Sequence, residues 1–102
     1  MFRRPFKDVI DRQLALFAEE HADLIADVRA AERAYDSAER DDAEERFGDY
    51  SDLVETATEA LADARDYFAS TLDEATSERY CEAFNNSVRK RWPPFALEID
   101  NR

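Results

Sequence analysis

The chain has 102 residues, with 25 acidic and 14 basic side chains, a formal charge of −11 at pH 7 and one cysteine, Cys81. This length supports a single domain, the lone cysteine excludes an intramolecular disulfide, and no apolar run approaches the roughly 20 residues of a membrane span. The acidic excess repels phosphate backbones and so disfavours nucleic-acid partners. The basic N-terminal residues are followed by charges rather than an apolar stretch. We therefore expect no signal peptide and a cytoplasmic location.

One glycine and three prolines leave few places for the chain to turn, and signals for strands are nearly absent. Alanine, glutamate, aspartate and arginine dominate, so we predict an all-α fold. Lysine is rare, with only Lys7 and Lys90, while arginine and aspartate are plentiful. This acidic balance suits either a halophilic source with a high-salt cytoplasm or a GC-rich genome, and the sequence does not separate these alternatives.

The first predicted element is a helix over about residues 5–39. Its apolar residues recur at alternating steps of four and three, a heptad pattern typical of coiled coils. The stripe contains Ile10, Leu14, Phe17, Leu24, Val28, Ala31, Tyr35 and Ala38. His21, the only histidine, occupies one position of this stripe. Residues three and four positions from His21 cannot ligate a metal, so we interpret His21 as a polar residue that fixes the register against the second helix.

A second stripe follows, out of phase with the first, and it contains Phe47, Val54, Leu61 and Phe68. Residues 39–42 offer no apolar side chain to bury, so we place a turn there and a second helix over about residues 42–74. Two alternatives remain open. Gly48 could end the first helix, with Asp49 beginning the next, or the helix could run unbroken in a long dimer.

A third, shorter helix is predicted over about residues 77–91, with Thr76 or Ser77 as its cap and Pro93 and Pro94 ending it. The tail, residues 93–102, alternates apolar and other residues, which predicts an extended segment lying across the bundle. The predicted fold is therefore a long antiparallel helical hairpin with coiled-coil-like heptads, a shorter third helix and an extended C-terminal tail. Residues 1–102 form one domain.

Carboxylates form two groups that suggest chemistry. One has the pattern E-E-x-x-D at residues 19–23, and the other lies within residues 44–52. Together they resemble the all-α NTP pyrophosphohydrolases of the MazG type, which hold Mg²⁺ with E-E-x-x-E on one helix and E-x-x-D on the next. The resemblance implies nucleotide hydrolysis and a site for Mg²⁺ or Mn²⁺. Its ligands would be Glu20, Asp23, Glu45, Asp49 and Asp52.

This chain departs from that family pattern at two places: position 23 is Asp, and four residues separate Glu45 from Asp49 where the motif has three. With a turn near residue 40, Asp23 and Asp49 lie about 12 Å apart along the hairpin axis, since a helix rises 1.5 Å per residue. One ion cannot bridge that gap. The hydrolase interpretation therefore needs carboxylates from two subunits.

The favoured function is a small non-enzymatic interaction or scaffold module that self-associates, without a cofactor and without catalytic residues. Two long helices and one short helix cannot cover both apolar stripes along their whole length, which leaves an apolar patch exposed. We predict a homodimer with a four-helix core, and such a patch also suits another protein partner. The interface or register residues are His21, Leu24, Val28, Tyr35, Phe47 and Tyr50.

Overall fold

The computed structural model describes residues 6–102 and confirms an all-α fold, because these residues form helices and contain no strand. The elements are α1 (Lys7–Glu20), α2 (Ala22–Asp36), α3 (Ala43–Ala69), α4 (Glu74–Arg91), a 3₁₀ turn (Pro93–Phe95) and α5 (Ala96–Asp100). The molecule measures 50 × 25 × 22 Å. No helix within residues 6–102 has the length and apolar character needed to cross a membrane. The predicted helix start at Pro5 lies outside the described residues.

The single helix predicted over residues 5–39 is wrong in one respect, because the chain breaks at His21 into α1 and α2. His21 has φ −116° and ψ 31°, although its N–H still donates to the carbonyl oxygen of Phe17 at 2.8 Å. No proline or glycine lies at the break. The carbonyl oxygen of His21 also accepts from the N–H of Ile25 at 3.0 Å, so helical hydrogen bonds continue on both sides of this irregular residue. Next to it, Phe17 lies edge-on to Trp92, at the end of α4, with ring centroids 5.5 Å apart.

The chain reverses between α2 and α3, and the predicted turn residues 39–42 lie inside this connection. Tyr35 contacts Phe47 close to the connection, and Glu32 contacts Tyr50 further from it, so the two helices run antiparallel. The alternative turn at Gly48 is wrong. Gly48 lies within α3, and a Cβ at this position would have no heavy atom within 4 Å. Nothing in its surroundings requires a glycine.

Helix α3 ends at Ala69 rather than near residue 74. The hydroxyl groups of Ser70 and Thr71 donate to the carbonyl oxygens of Tyr67 and Phe68, which satisfies acceptors of the last helical turn. Helix α4 begins at Glu74, earlier than the predicted residue 77, because Asp73 is its N-cap. The Asp73 carboxylate accepts hydrogen bonds from the backbone N–H and the hydroxyl of Thr76, each at 2.9 Å. These bonds lower the pKa of Asp73 below its ordinary value.

The predicted extended tail is also wrong. Residues 93–102 form the 3₁₀ turn and α5, and they pack onto α3 and α4. The apolar residues of this segment alternate every two residues, but Phe95 and Ile99 are also four residues apart, as on one face of a helix. Both of these side chains are fully buried, which agrees with the helical spacing rather than with an extended strand.

The hydrophobic core lies at the end of the molecule where all five helices meet. α2 and α3 pack antiparallel along their length, and α4 lies against α3 and α1. The largest fully buried side chains are Ile10, Leu61, Tyr80, Phe84, Val88, Phe95 and Ile99. The Tyr80 hydroxyl donates to Oε1 of Gln13 at 2.8 Å, so α1 is joined to α4 by a polar contact as well as by apolar packing. Burial is the main reason that the pKa of Tyr80 is raised to about 12.

Candidate interaction surface

The apolar stripes of α2 and α3 continue past the core to the connection between the two helices. We name residues 35–50 the hairpin tip. Here the rings of Tyr35 and Phe47 pack against each other, with centroids 5.3 Å apart. Within residues 6–102 no third helix covers them: Tyr35 is 38% exposed and Phe47 is 50% exposed. The tip thus presents an aromatic pair to solvent.

Tyr50 lies at the inner edge of the hairpin tip and is half-buried. Its hydroxyl donates to Oε2 of Glu32 on α2 at 3.3 Å. Burial, followed by the negative charge of Glu32, raises the pKa of the Tyr50 hydroxyl. This contact crosses between the two helices and fixes their relative position close to the tip.

The other predicted interface residues occupy different surroundings. Val28 is buried within the hydrophobic core of the single chain, and Leu24 is half-buried against that core. His21 is half-buried at the break between α1 and α2, where its ring stacks on Phe17 with centroids 4.6 Å apart. Within residues 6–102 its side chain makes no hydrogen bond to α3. The side-chain hydrogen bond between α2 and α3 described above is made by Tyr50 and Glu32, and the register role of His21 stays a prediction.

The five carboxylates of the predicted metal site do not converge within one chain. All of them are exposed, and they are distributed from the end of α1 to the middle of α3: Glu20, Asp23, Glu45, Asp49 and Asp52. Residues 6–102 contain no group of three or more histidine, cysteine, aspartate or glutamate side chains placed to hold a metal ion. A metal site of these carboxylates would need a second subunit, as the hydrolase interpretation of the sequence requires.

A groove that the sequence did not predict runs between α2 and the segment that follows α4. We name it the arginine groove. Residues 25–32 of α2 form one wall, and residues 91–95 form the other; the cavity there has a volume of about 140 Å³. It continues along α2 towards Ala18 as a second cavity of about 280 Å³. Arg29 and Arg91 line both cavities beside the buried ring of Trp92.

One buried charge holds the wall of this groove in place. Arg65 on α3 is only 4% exposed, and its guanidinium donates four hydrogen bonds. The acceptors are Oδ1 of Asp66 at 2.8 Å, Oδ1 of Asn85 at 2.9 Å, the carbonyl oxygen of Ile99 at 3.3 Å and that of Arg102 at 2.6 Å. Two of these acceptors, the carbonyl oxygens of Ile99 and Arg102, lie in the last turn of α5 and just beyond it. Arg65 therefore fastens α5, and with it residues 92–95, to α3.

The sequence carried only a weak signal for this role. Arg65 lies seven residues after Thr58, and both belong to the buried face of α3. An arginine on a buried face needs several acceptors, but nothing in the sequence shows which carbonyl groups supply them. Comparisons with protein-family models, with curated proteins and with solved structures found no match to this chain.

Proposed function

We propose that this chain is a non-enzymatic helical interaction module that self-associates through the hairpin tip. The observation that carries the proposal is the exposed pair of Tyr35 and Phe47, which lies where no third element among the described residues packs over α2 and α3. Contiguous exposed apolar surface on a small domain marks a site of association.

A second copy of the chain is the partner that best fits this surface. Each copy offers two antiparallel helices whose apolar stripes lack cover near the connection. Two such pairs packed against each other make a four-helix arrangement, which covers the exposed part of each hairpin. A two-fold axis is the simplest symmetry for this contact, because the same surface serves in both copies. The resulting dimer would be long, with the connections of both hairpins buried against the opposite copy.

The test compares two serine substitutions of exposed aromatic residues on α3. Phe47→Ser removes half of the exposed pair, whereas Tyr67→Ser changes a side chain that is 80% exposed and lies 20 residues away. Light scattering after size exclusion should give the mass of a dimer for the unchanged protein and for Tyr67→Ser at about 100 μM. Phe47→Ser should shift the protein to monomer at the same concentration.

Two results would contradict the proposal. A monomer for the unchanged protein at this concentration would show that the exposed pair does not drive self-association. A rise in melting temperature on adding Mn²⁺, with release of pyrophosphate from a nucleotide, would instead favour the two-subunit hydrolase, whose ligands include Asp23 and Asp49. Substituting both aspartates with asparagine would then remove the Mn²⁺ effect.

A further inference from the structure

We propose that the hairpin tip of one copy binds in the arginine groove of the second copy, so that a two-fold dimer contains two equivalent contacts. This inference rests on the proposed self-association and names the surface that receives the tip. The groove and the tip are separate surfaces of one chain. In a two-fold dimer each copy supplies one tip and one groove, so both tips and both grooves are occupied and no third copy can bind.

The groove carries two positive charges without partners in a strongly acidic chain. Arg29 and Arg91 are both exposed. Within residues 6–102 neither guanidinium makes a hydrogen bond or an ion pair, and that of Arg91 lies 4.9 Å from the centroid of the Trp92 ring. The single acidic residue in the lining, Glu32, accepts a hydrogen bond from Tyr50. The groove is therefore a local positive site beside aromatic and proline side chains.

The hairpin tip has the complementary character. Residues 35–50 contain seven carboxylates and two guanidinium groups, together with the exposed rings of Tyr35 and Phe47. An acidic, aromatic projection matches a groove lined by arginine, tryptophan and proline in both charge and polarity. Charge complementarity of this kind selects a partner and fixes its register.

Helix geometry places these charges opposite one another. Arg29 and Asp36 are seven residues apart on α2 and so share a face of the helix. If α2 of each copy packs antiparallel about a two-fold axis near residues 32 and 33, Arg29 of one copy lies opposite Asp36 of the other. By the same symmetry, Ala26 of the groove lies opposite position 39 of the second copy, just beyond the end of α2, so Glu39 faces the part of the groove that Arg91 also lines. Tyr35 directly precedes Asp36 and packs on Phe47, so both exposed rings lie beside this contact.

The decisive experiment reverses the charges on each surface separately and then mixes the two proteins. The groove variant is Arg29→Glu with Arg91→Glu, and the tip variant is Asp36→Lys with Glu39→Lys. In either variant alone, the facing residues of groove and tip carry the same sign, so the dimer dissociation constant should rise about tenfold or more. In an equimolar mixture, both contacts of the heterodimer are complementary. Its dissociation constant, measured by sedimentation or fluorescence anisotropy, should return close to that of the unchanged protein.

A control separates this effect from net charge and from helix stability. Arg12→Glu with Lys90→Glu makes the same change in net charge and places the same acidic residue in the last turn of α4, but neither residue lines the groove. This control should retain the dimer, and circular dichroism should show that all three proteins fold. If the groove variant forms homodimers with the same dissociation constant as the unchanged protein, the groove does not receive the tip. The proposed self-association would still stand. A monomeric unchanged protein would overturn both proposals.

Discussion

The two ends of the α2–α3 pair differ in how many elements lie over the same kind of apolar stripe. At the core end, α1, α4 and α5 cover the stripes, and side chains such as Leu61 and Phe84 are fully buried. At the hairpin tip no other described helix covers them, and Phe47 is half exposed although it begins the stripe to which Leu61 belongs. Position in a heptad therefore does not decide burial in this chain; the presence of a third element does.

We infer that the core end of the α2–α3 pair stabilises the fold and that the hairpin tip serves association. The core end holds the fold together, because its apolar side chains are removed from water within one chain. The hairpin tip leaves comparable side chains available to a partner. Substitutions at matched positions can therefore separate folding from association, and the following predictions test that separation in order of expected effect.

The largest contrast should come from removing one phenylalanine ring at each end. Phe84→Ala creates a cavity in the core and should lower the free energy of unfolding by about 3–5 kcal/mol. Phe47→Ala should lower it by about 1 kcal/mol or less, since that ring is already half in water. Urea unfolding at about 1 μM, where self-association is weak, measures both losses. Equal losses would mean that the tip contributes to the fold of the single chain as much as the core does.

A second contrast concerns two arginines of α3. Arg65→Met leaves the carbonyl oxygen of Ile99 without its buried donor and should cost about 2–3 kcal/mol. Arg46→Met changes an exposed arginine of the hairpin tip and should alter stability by about 0.5 kcal/mol or less. Arg65→Lys should recover only part of the loss, because an ammonium group cannot reproduce the fork of the guanidinium. Hydrogen exchange of the α5 amides should accelerate in Arg65→Met, and unchanged exchange would contradict the proposed fastening role.

The smallest effect concerns the Tyr80 hydroxyl. Its pKa is raised from 10.0 to about 12 in the folded chain, so the folded state holds this proton more tightly than the unfolded state. Stability from this group is present below pH 10 and is lost as the pH rises towards 12. Tyr80→Phe should remove that part of the alkaline loss and cost about 1 kcal/mol near neutrality, where the bond to Gln13 is lost. The matched control is Tyr67→Phe, which removes a hydroxyl from a side chain that is 80% exposed.

The sequence was sufficient for the helical class. Heptad spacing reports which face of a helix is apolar. It did not show which part of that face is covered, because Val28 belongs to the same predicted interface as Phe47 and is buried in the core. The same spacing could not show the irregular backbone at His21 or the contacts of α1 with Tyr80 and Trp92, which are more than 60 residues away in the chain.

The fold of residues 93–102 and the arginine groove could not be predicted from the sequence, for a similar reason. The acceptors of Arg65 include carbonyl oxygens, which every residue possesses, so residue identity carries no signal for them. The arginine groove combines Arg29 with Arg91, which approach each other only after residues 92–95 turn back onto α3. Sequence patterns describe single elements well, whereas this groove forms where α2, the end of α4 and the 3₁₀ turn meet.

The packing of α1 on α4 also has a consequence for the order of folding. Its contacts join residues far apart in the chain, such as Gln13 and Tyr80 at a separation of 67 residues. The contact of Glu32 with Tyr50 closes a loop of only 18 residues. Closing the longer loop costs more chain entropy unless the intervening helices already exist. We therefore expect α2 and α3 to pair first and α1 to dock last, onto a surface that α4 has completed.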